Sequence, residues 1–265
     1  MNEYVIGIQT FVKIDTLQQT IHYLFQCRNI DKYKIIFFID GIENFIYKDK
    51  EHWIENNKII RQNLYNLQAQ NKNVSILLSE TNLGAYKGCK YLIDHCMEKS
   101  DYVIFLEDDV LFSKDCLEYY EFAYEKYLKN KDYQCLGAAC SGTPWVNESN
   151  ININKLYELN TMNWISSACF GITKDKWEIY KDSRGSSNGD IKMGEDFRKN
   201  NQVSIIPAIG RSGRIGYDHP DGFSTYYNAQ TDSSYKEMSL PPSDLFSIDY
   251  ASNQLFFRKN PCTNI

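Results

Sequence analysis

The chain has 265 residues, enough for one large domain or two small ones with a sizeable core. Hydrophobic residues make up 43% and charged residues 24%, the proportions of an ordinary soluble globular protein. A net charge of -5 excludes a global electrostatic pull towards nucleic acid or an anionic membrane, so any anionic ligand needs a local site.

A short apolar run over 4–8 reads as a buried strand. Asp15, with Gln18 three residues on, has the pattern of an N-cap and capping box, and Leu17, Ile21, Leu24 and Phe25 mark one face of the helix behind it. Residues 34–39 form a second buried strand, stopped by Asp40-Gly41. Trp53, Ile60, Leu64 and Leu67 are the apolar positions of a polar helix, and 74–78 is a third strand. A helix over about 85–97 turns Leu92, Ile93 and Cys96 inward. Residues 102–106 are a fourth strand that runs straight into Glu107-Asp108-Asp109. This alternation predicts an α/β fold, a mostly parallel, doubly wound sheet flanked by helices.

Ser113 is the expected N-cap of a helix reaching about residue 128. Strands follow at 136–140 and 165–172, then a short helix around Lys176 and a mobile Gly/Ser loop over 183–189. A last strand at 203–206 ends at Pro207, and the tail from Gly222 is polar and aromatic without periodicity. With no repeat and no low-complexity linker, 1–265 is expected to be a single domain. It divides into a first half of about 1–112, a second half of about 113–225 and a tail of about 226–265.

Eight cysteines are scattered at 27, 89, 96, 116, 135, 140, 169 and 262 without a CxxC pair. They are expected to be reduced thiols, several acting as small hydrophobes. Glu3 and an immediate strand argue against a signal peptide, and no apolar run is long enough to span a bilayer. The sequons at Asn73 and Asn147 are expected to be chance in a chain this rich in Asn.

In an open parallel sheet, ligands bind beyond the carboxyl ends of the strands. Gln9-Thr10, Asp40-Gly41 and Glu107-Asp108-Asp109 all fall on that edge. Three consecutive carboxylates repel one another unless a cation or several donors neutralise them. Mg²⁺ and Mn²⁺ prefer oxygen ligands, usually one or two carboxylates plus substrate phosphates. The bland alternative is a solvated acidic turn that merely stops the strand.

The run Tyr102-Val103-Ile104-Phe105-Leu106-Glu107-Asp108-Asp109-Val110 resembles the strand-plus-DXD element of GT-A-fold glycosyltransferases, a Rossmann-like class. Its EDD form is most similar to the inverting N-acetylglucosaminyltransferases of protein glycan synthesis. Thr81-Asn82-Leu83-Gly84 is similar to the N-x-G segment before the DXD strand, and Asp40-Gly41 to the acid that meets the nucleotide base. Pro207 to Ser212, Gly216 and Asp218-His219 resemble the late P-x-x-S-R-T…G…S-H segment. Gly210 stands where that class has Ser, and its arginine near the start of the first helix is missing.

The resemblance implies roles. Asp109 would ligate Mn²⁺ or Mg²⁺ at the donor's diphosphate, with Asp108 and Glu107 on the ribose, the sugar or metal-bound water. Asp40 would bond the base, taken as uracil, and Thr10, Asn82 and Gly84 would line the donor site. Met193-Gly194-Glu195-Asp196 resembles the acidic motif that opens a helix near the acceptor, making Glu195 or Asp196 the base; acids stabilising a helix dipole are the alternative. His219 follows Arg211 and Arg214 in a Gly-rich loop; it would complete the metal sphere, with Arg211 as the phosphate contact, unless it is a loop histidine without a ligand. Trp164 would face the acceptor, whereas Trp177 fills the core.

These features predict a metal-dependent inverting transferase moving a sugar, N-acetylglucosamine or a related one, from a UDP-sugar to a glycan or other hydroxyl acceptor. Nucleic acid is not an expected partner. The class suggests surface-glycan synthesis in the cytoplasm, touching the inner membrane face. A sugar-nucleotide nucleotidyltransferase is disfavoured because the loop Gln9-Thr10-Phe11-Val12-Lys13 lacks glycine. A glycan-binding protein without turnover is the non-enzyme alternative.

Overall fold

Alternation along three strands sorts the core into two faces. The computed structural model of the chain describes residues 4–44, 51–130, 135–140, 157–216, 219–222 and 256–257. In β1 (Tyr4–Thr10), β2 (Tyr33–Ile39) and β4 (Tyr102–Glu107), the residues Ile6, Ile8, Ile35, Phe37, Ile39, Ile104 and Leu106 join one cluster. Val5, Ile36, Phe38, Val103 and Phe105 join the other. Successive side chains of a strand point to opposite faces, so a sheet buried on both sides needs apolar residues at every position.

Helices cover each face. Leu17 and Leu24 of α1 (Ile14–Leu24), Ile60 and Leu64 of α2 (Glu51–Gln70) and Leu117 and Tyr120 of α4 (Cys116–Ala123) pack on the first. Leu92 and Cys96 of α3 (Gly84–Met97), Trp177 of α5 (Lys174–Arg184) and Phe197 of α6 (Gly189–Lys199) pack on the second. Trp177 is a core residue as expected, its indole N–H donating to Asp94 Oδ1 at 2.7 Å.

With β3 (Val74–Leu78), the order β3-β2-β1-β4 is wholly parallel. The chain steps outwards from β1 to β3, and α3 then carries it back past β1 to β4. Right-handed crossovers therefore put α1 and α2 on one face and α3 on the other. The reversal makes the gap between β1 and β4 a topological switch point.

Beyond β4 the sheet continues through β8 (Cys169–Thr173), β6 (Cys135–Ala138), β9 (Val203–Pro207), β7 (Glu158–Met162) and β11 (Phe256–Phe257). β8 runs antiparallel to β4 and β6, and β7 antiparallel to β9; the other pairings are parallel. A separate two-stranded sheet pairs β5 (Val110–Phe112) with β10 (Ser212–Arg214), antiparallel. The mixed α/β fold is thus the expected one.

Several local readings change. α1 is capped by Lys13, with Asp15 inside its first turn and no side-chain cap. Ser113 turns its hydroxyl to Asp115 Oδ1 (2.6 Å), and Asp115 occupies the N-cap of α4, which runs into a π-turn at Tyr124–Leu128. The strand expected over 165–172 is only Cys169–Thr173, and β7, β5 and β10 had no periodicity long enough to be read. The loop expected over 183–189 shrinks to 185–188, with Asn188 at φ 62° capping α6. Cys116 and Cys140 form a disulfide, Cα atoms 6.7 Å apart, which corrects the reading of uniformly reduced thiols and removes that argument for a reducing compartment. Cys27, Cys89, Cys96 and Cys169 are free and buried, and burial pushes the Cys89 and Cys169 thiols up to about 12. Among the described residues no helix is long and apolar enough to cross a membrane. The Asn147 sequon, Asp218, Cys262 and the tail from 223, apart from Phe256–Phe257, lie outside the described residues.

Candidate active site

Gln9 pairs in register with Glu107, so β1 and β4 end side by side and deliver Thr10 and the acidic triplet to one edge. The chain turns at Asp108-Asp109 into β5. The β5–β10 register sets Arg214 opposite Val110, which brings a guanidinium back over the triplet.

The contacts around the triplet are specific. Asp108 Oδ2 accepts from the Thr10 hydroxyl at 2.8 Å and from the Phe11 N–H at 3.4 Å. Its Oδ1 lies 2.9 Å from Lys13 Nζ, which also reaches Asp109 Oδ2 at 2.7 Å. Arg214 Nε donates to Asp109 Oδ1 at 3.1 Å while Nη2 meets Glu107 Oε2 at 2.5 Å. The Ile215 N–H donates to the Asp109 carbonyl at 2.9 Å, fastening β10's exit to the triplet. A Cβ at Gly216 would overlap the Asp109 carboxylate, so only glycine leaves room for this acid.

The electrostatics follow. Burial alone would raise the Asp109 carboxyl, but Arg214 and Lys13 outweigh it and hold it at about 2. Burial raises Glu107 above the ordinary carboxylate range, with Arg214 opposing and Asp109 adding to the shift. Lys13, despite burial, is raised by Asp108 and Asp109 and stays an ammonium.

The other candidate residues sort differently. Asp40 is buried and clasps backbone: Oδ1 accepts from Gly41 N (2.9 Å) and Leu83 N (2.8 Å), and Oδ2 from Gly84 N (2.8 Å). Burial raises its carboxyl, and these three amides partly offset that. Asn82 donates to the Gly41 carbonyl, and Gly84 sits at φ 73°, where glycine avoids a Cβ penalty. Asp40, Asn82 and Gly84 therefore knit β2 to the start of α3 at the sheet's ligand edge, and the base contact implied for Asp40 would have to share a carboxylate already bonded to three amides.

Arg211 is fully buried, its Nε 3.2 Å from Asp115 Oδ2 and its Nη1 on the Ile209 carbonyl. It forms a core ion pair, and Arg214 is the arginine that reaches the triplet. His219 is engaged elsewhere too. Its Nδ1 accepts the Asp221 N–H at 3.0 Å, leaving the ring proton on Nε2, which donates to Asp15 Oδ1 at 2.8 Å. The imidazole thus bonds Asp15 of α1, and ligation of a metal by His219 would require that bond to be exchanged.

Glu195 and Asp196 lie within α6 and do not open it. Glu195 is exposed, while Asp196 accepts from Ser183 Oγ at 2.5 Å and pairs with Lys199 at 3.6 Å. Trp164 is half-buried against α6, touching the position a Gly194 Cβ would fill, with Arg198 stacked 5.0 Å from its ring. The acid in the first turn of α6 is Asp190, which pairs with the buried Arg184. Arg184 also donates to the Ser167 carbonyl (3.2 Å), and the next carbonyl, Ala168, accepts from Glu107 N (2.9 Å). Arg184, Asp190 and Tyr86 therefore flank the triplet: Tyr86 is raised by burial and by the charges of Asp190 and Glu107, with Arg184 opposing.

Lys13 and Arg214 carry the triplet's electrostatics, and neither was singled out from sequence. A lysine just before a helix at the end of β1 was the available signal for the first. Three-residue β10 gives no pattern to separate Arg214 from Arg211.

The residues fit a divalent cation in one respect and limit it in another. One oxygen each from Asp108 and Asp109 converges within 2.9 Å of a single cationic atom, both are hard donors, and Gly216 keeps the space clear. Among the described residues no group of three or more His, Cys, Asp or Glu side chains is arranged to hold a metal.

The sequence matches no protein-family model and no curated protein. Among solved structures it is similar to the mannosyltransferase PcManGT from Pyrobaculum calidifontis in complex with GDP-Man and Mn²⁺, with a TM-score of 0.48 and 9% identity. The similarity covers 79% of this chain and 57% of that one, so the chain spans little more than half of that structure's length.

Proposed function

We propose that the chain is a metal-dependent glycosyltransferase that moves a sugar from a nucleoside diphosphate to a hydroxyl acceptor. The observation that carries this reading is the convergence of Asp108 and Asp109 on one cation position beside the β1/β4 switch. Two carboxylate oxygens, with no third such ligand among the described residues, suit an ion that a diphosphate completes. Once bound, Mn²⁺ or Mg²⁺ would offset charge on the departing diphosphate.

The chain's own groups take the remaining roles. Thr10 and the Phe11 N–H orient Asp108, while Arg214 orients Asp109 and Glu107. Lys13 and Arg214, the cations that contact the triplet, would meet phosphate oxygens there. The EDD resemblance supports a UDP donor carrying N-acetylglucosamine or a related sugar, with inversion. Inversion needs a carboxylate to accept the acceptor's hydroxyl proton. Of the acids on α6, Asp190 is the one joined through Arg184 to the Ser167 carbonyl, one residue from the carbonyl that the Glu107 N–H meets, and it is the carboxylate proposed here as the base alongside Glu195 and Asp196.

Incubation with UDP- and GDP-sugars and Mn²⁺ tests the reading. Release of nucleoside diphosphate from one donor, suppressed by EDTA, is the expected result. No release from any common donor counts against the function, and EDTA-insensitive release counts against the metal.

A further inference from the structure

We propose that Lys13 is a resident counterion that excludes a free divalent cation from the Asp108–Asp109 pair and yields only to a cation arriving with a diphosphate. The proposal rests on the nucleotide-sugar reading above, and it concerns the order in which the site fills.

The oxygen inventory makes the case. Of the four carboxylate oxygens, Asp108 Oδ2 is held by Thr10 and the Phe11 amide, and Asp109 Oδ1 by Arg214. The other two, Asp108 Oδ1 and Asp109 Oδ2, are the pair that Lys13 Nζ bridges at 2.9 and 2.7 Å. Lys13 and a divalent ion therefore compete for the same two atoms. The ammonium sits on a side chain only 15% exposed, on the residue that caps α1, so its stem is held at the site.

Displacing Lys13 has a double cost when the ion comes alone. Two protein oxygens leave a Mg²⁺- or Mn²⁺-sized ion short of ligands, and the ammonium is stripped of both its partners in a largely buried place. A diphosphate removes both costs together. Its oxygens complete the ion's shell, and they give the displaced ammonium a new anionic partner. The two ligands should then bind with strong positive coupling, each raising the affinity for the other by the same factor. Lys13 is a positioning residue in this scheme, and the coupling is its signature.

Calorimetric titration of the full chain with Mn²⁺ alone, and with Mn²⁺ in the presence of UDP, tests this in wild type and Lys13→Met. Wild type should bind Mn²⁺ at least about tenfold more tightly with UDP than without. Lys13→Met, which keeps the stem and loses the charge, should bind Mn²⁺ alone about tenfold more tightly than wild type and show a weaker UDP effect. Lys13→Gln serves if the methionine variant does not fold, and the wild-type coupling needs no variant. Equal Mn²⁺ affinity in wild type and a folded variant overturns the exclusion by Lys13, whatever UDP does. A variant that gains Mn²⁺ affinity while UDP leaves both proteins unchanged upholds the exclusion and overturns the nucleotide-sugar reading instead.

Discussion

Replacing Arg211 by methionine would remove a guanidinium that is 0% exposed and whose partner, Asp115, is 1% exposed. Nε lies 3.2 Å from Asp115 Oδ2, Nη1 bonds the Ile209 carbonyl, and the Arg211 N–H donates to the Cys140 carbonyl at 2.7 Å. The side chain thus joins the N-cap of α4 to the strand end before β10. Methionine fills much of the volume but leaves the Asp115 carboxylate buried without its cation. Breaking a buried pair from one side costs about 3–5 kcal/mol. In a chain of this size that lowers Tm by roughly 10 °C. Thermal or urea unfolding measures it, and Arg211→Met combined with Asp115→Leu should recover most of the loss, because neither charge is then stranded. Unchanged unfolding with lost nucleotide binding would refute this reasoning and return Arg211 to the phosphate.

Further outcomes follow from the same geometry. Asp109 is held at about 2 against an ordinary 3.8, so its ionised form stabilises the fold above pH 4, and that contribution disappears as pH falls through 2. Wild type should therefore lose about 2 kcal/mol more than Asp109→Asn between pH 4 and 2 in acid unfolding, and parallel curves would contradict the ion network. Gly84→Ala places an L residue at φ 73° with no atom near its Cβ, so the cost is backbone strain alone, about 1–2 kcal/mol by urea unfolding. Asp190→Asn should lower kcat by about two orders of magnitude, with Glu195→Gln close to wild type; the reverse pattern restores the base to Glu195.

The first half of the fold was legible because each of its buried strands is a continuous apolar run with a polar stop. Residues 34–39 end at Asp40-Gly41 and 102–106 at the acidic triplet, so the ligand edge could be read without coordinates. What failed depends on partners remote in sequence. Thr10 and Lys13 meet Asp108 across 98 and 95 positions, and the choice between Arg211 and Arg214 is made by the pairing of two three-residue strands. His219 has the right residue type for a metal, but the Asp221 amide and Asp15 take both its nitrogens. The start of α6 was misread because it lies at Gly189, behind an αL asparagine that reads as loop; with that start, Glu195 and Asp196 fall beyond the first turn and Asp190 within it. The Cys116–Cys140 pair, 24 residues apart, has no spacing signature at all.

The central claim is that Asp109 holds a divalent ion which in turn holds a diphosphate. Titrating UDP into the wild-type chain and into Asp109→Ala, each with and without Mn²⁺, tests it most directly. The account predicts UDP binding in wild type only when Mn²⁺ is present, and none in the variant under either condition. UDP binding by Asp109→Ala as strong as by wild type, with Mn²⁺ present, would contradict it.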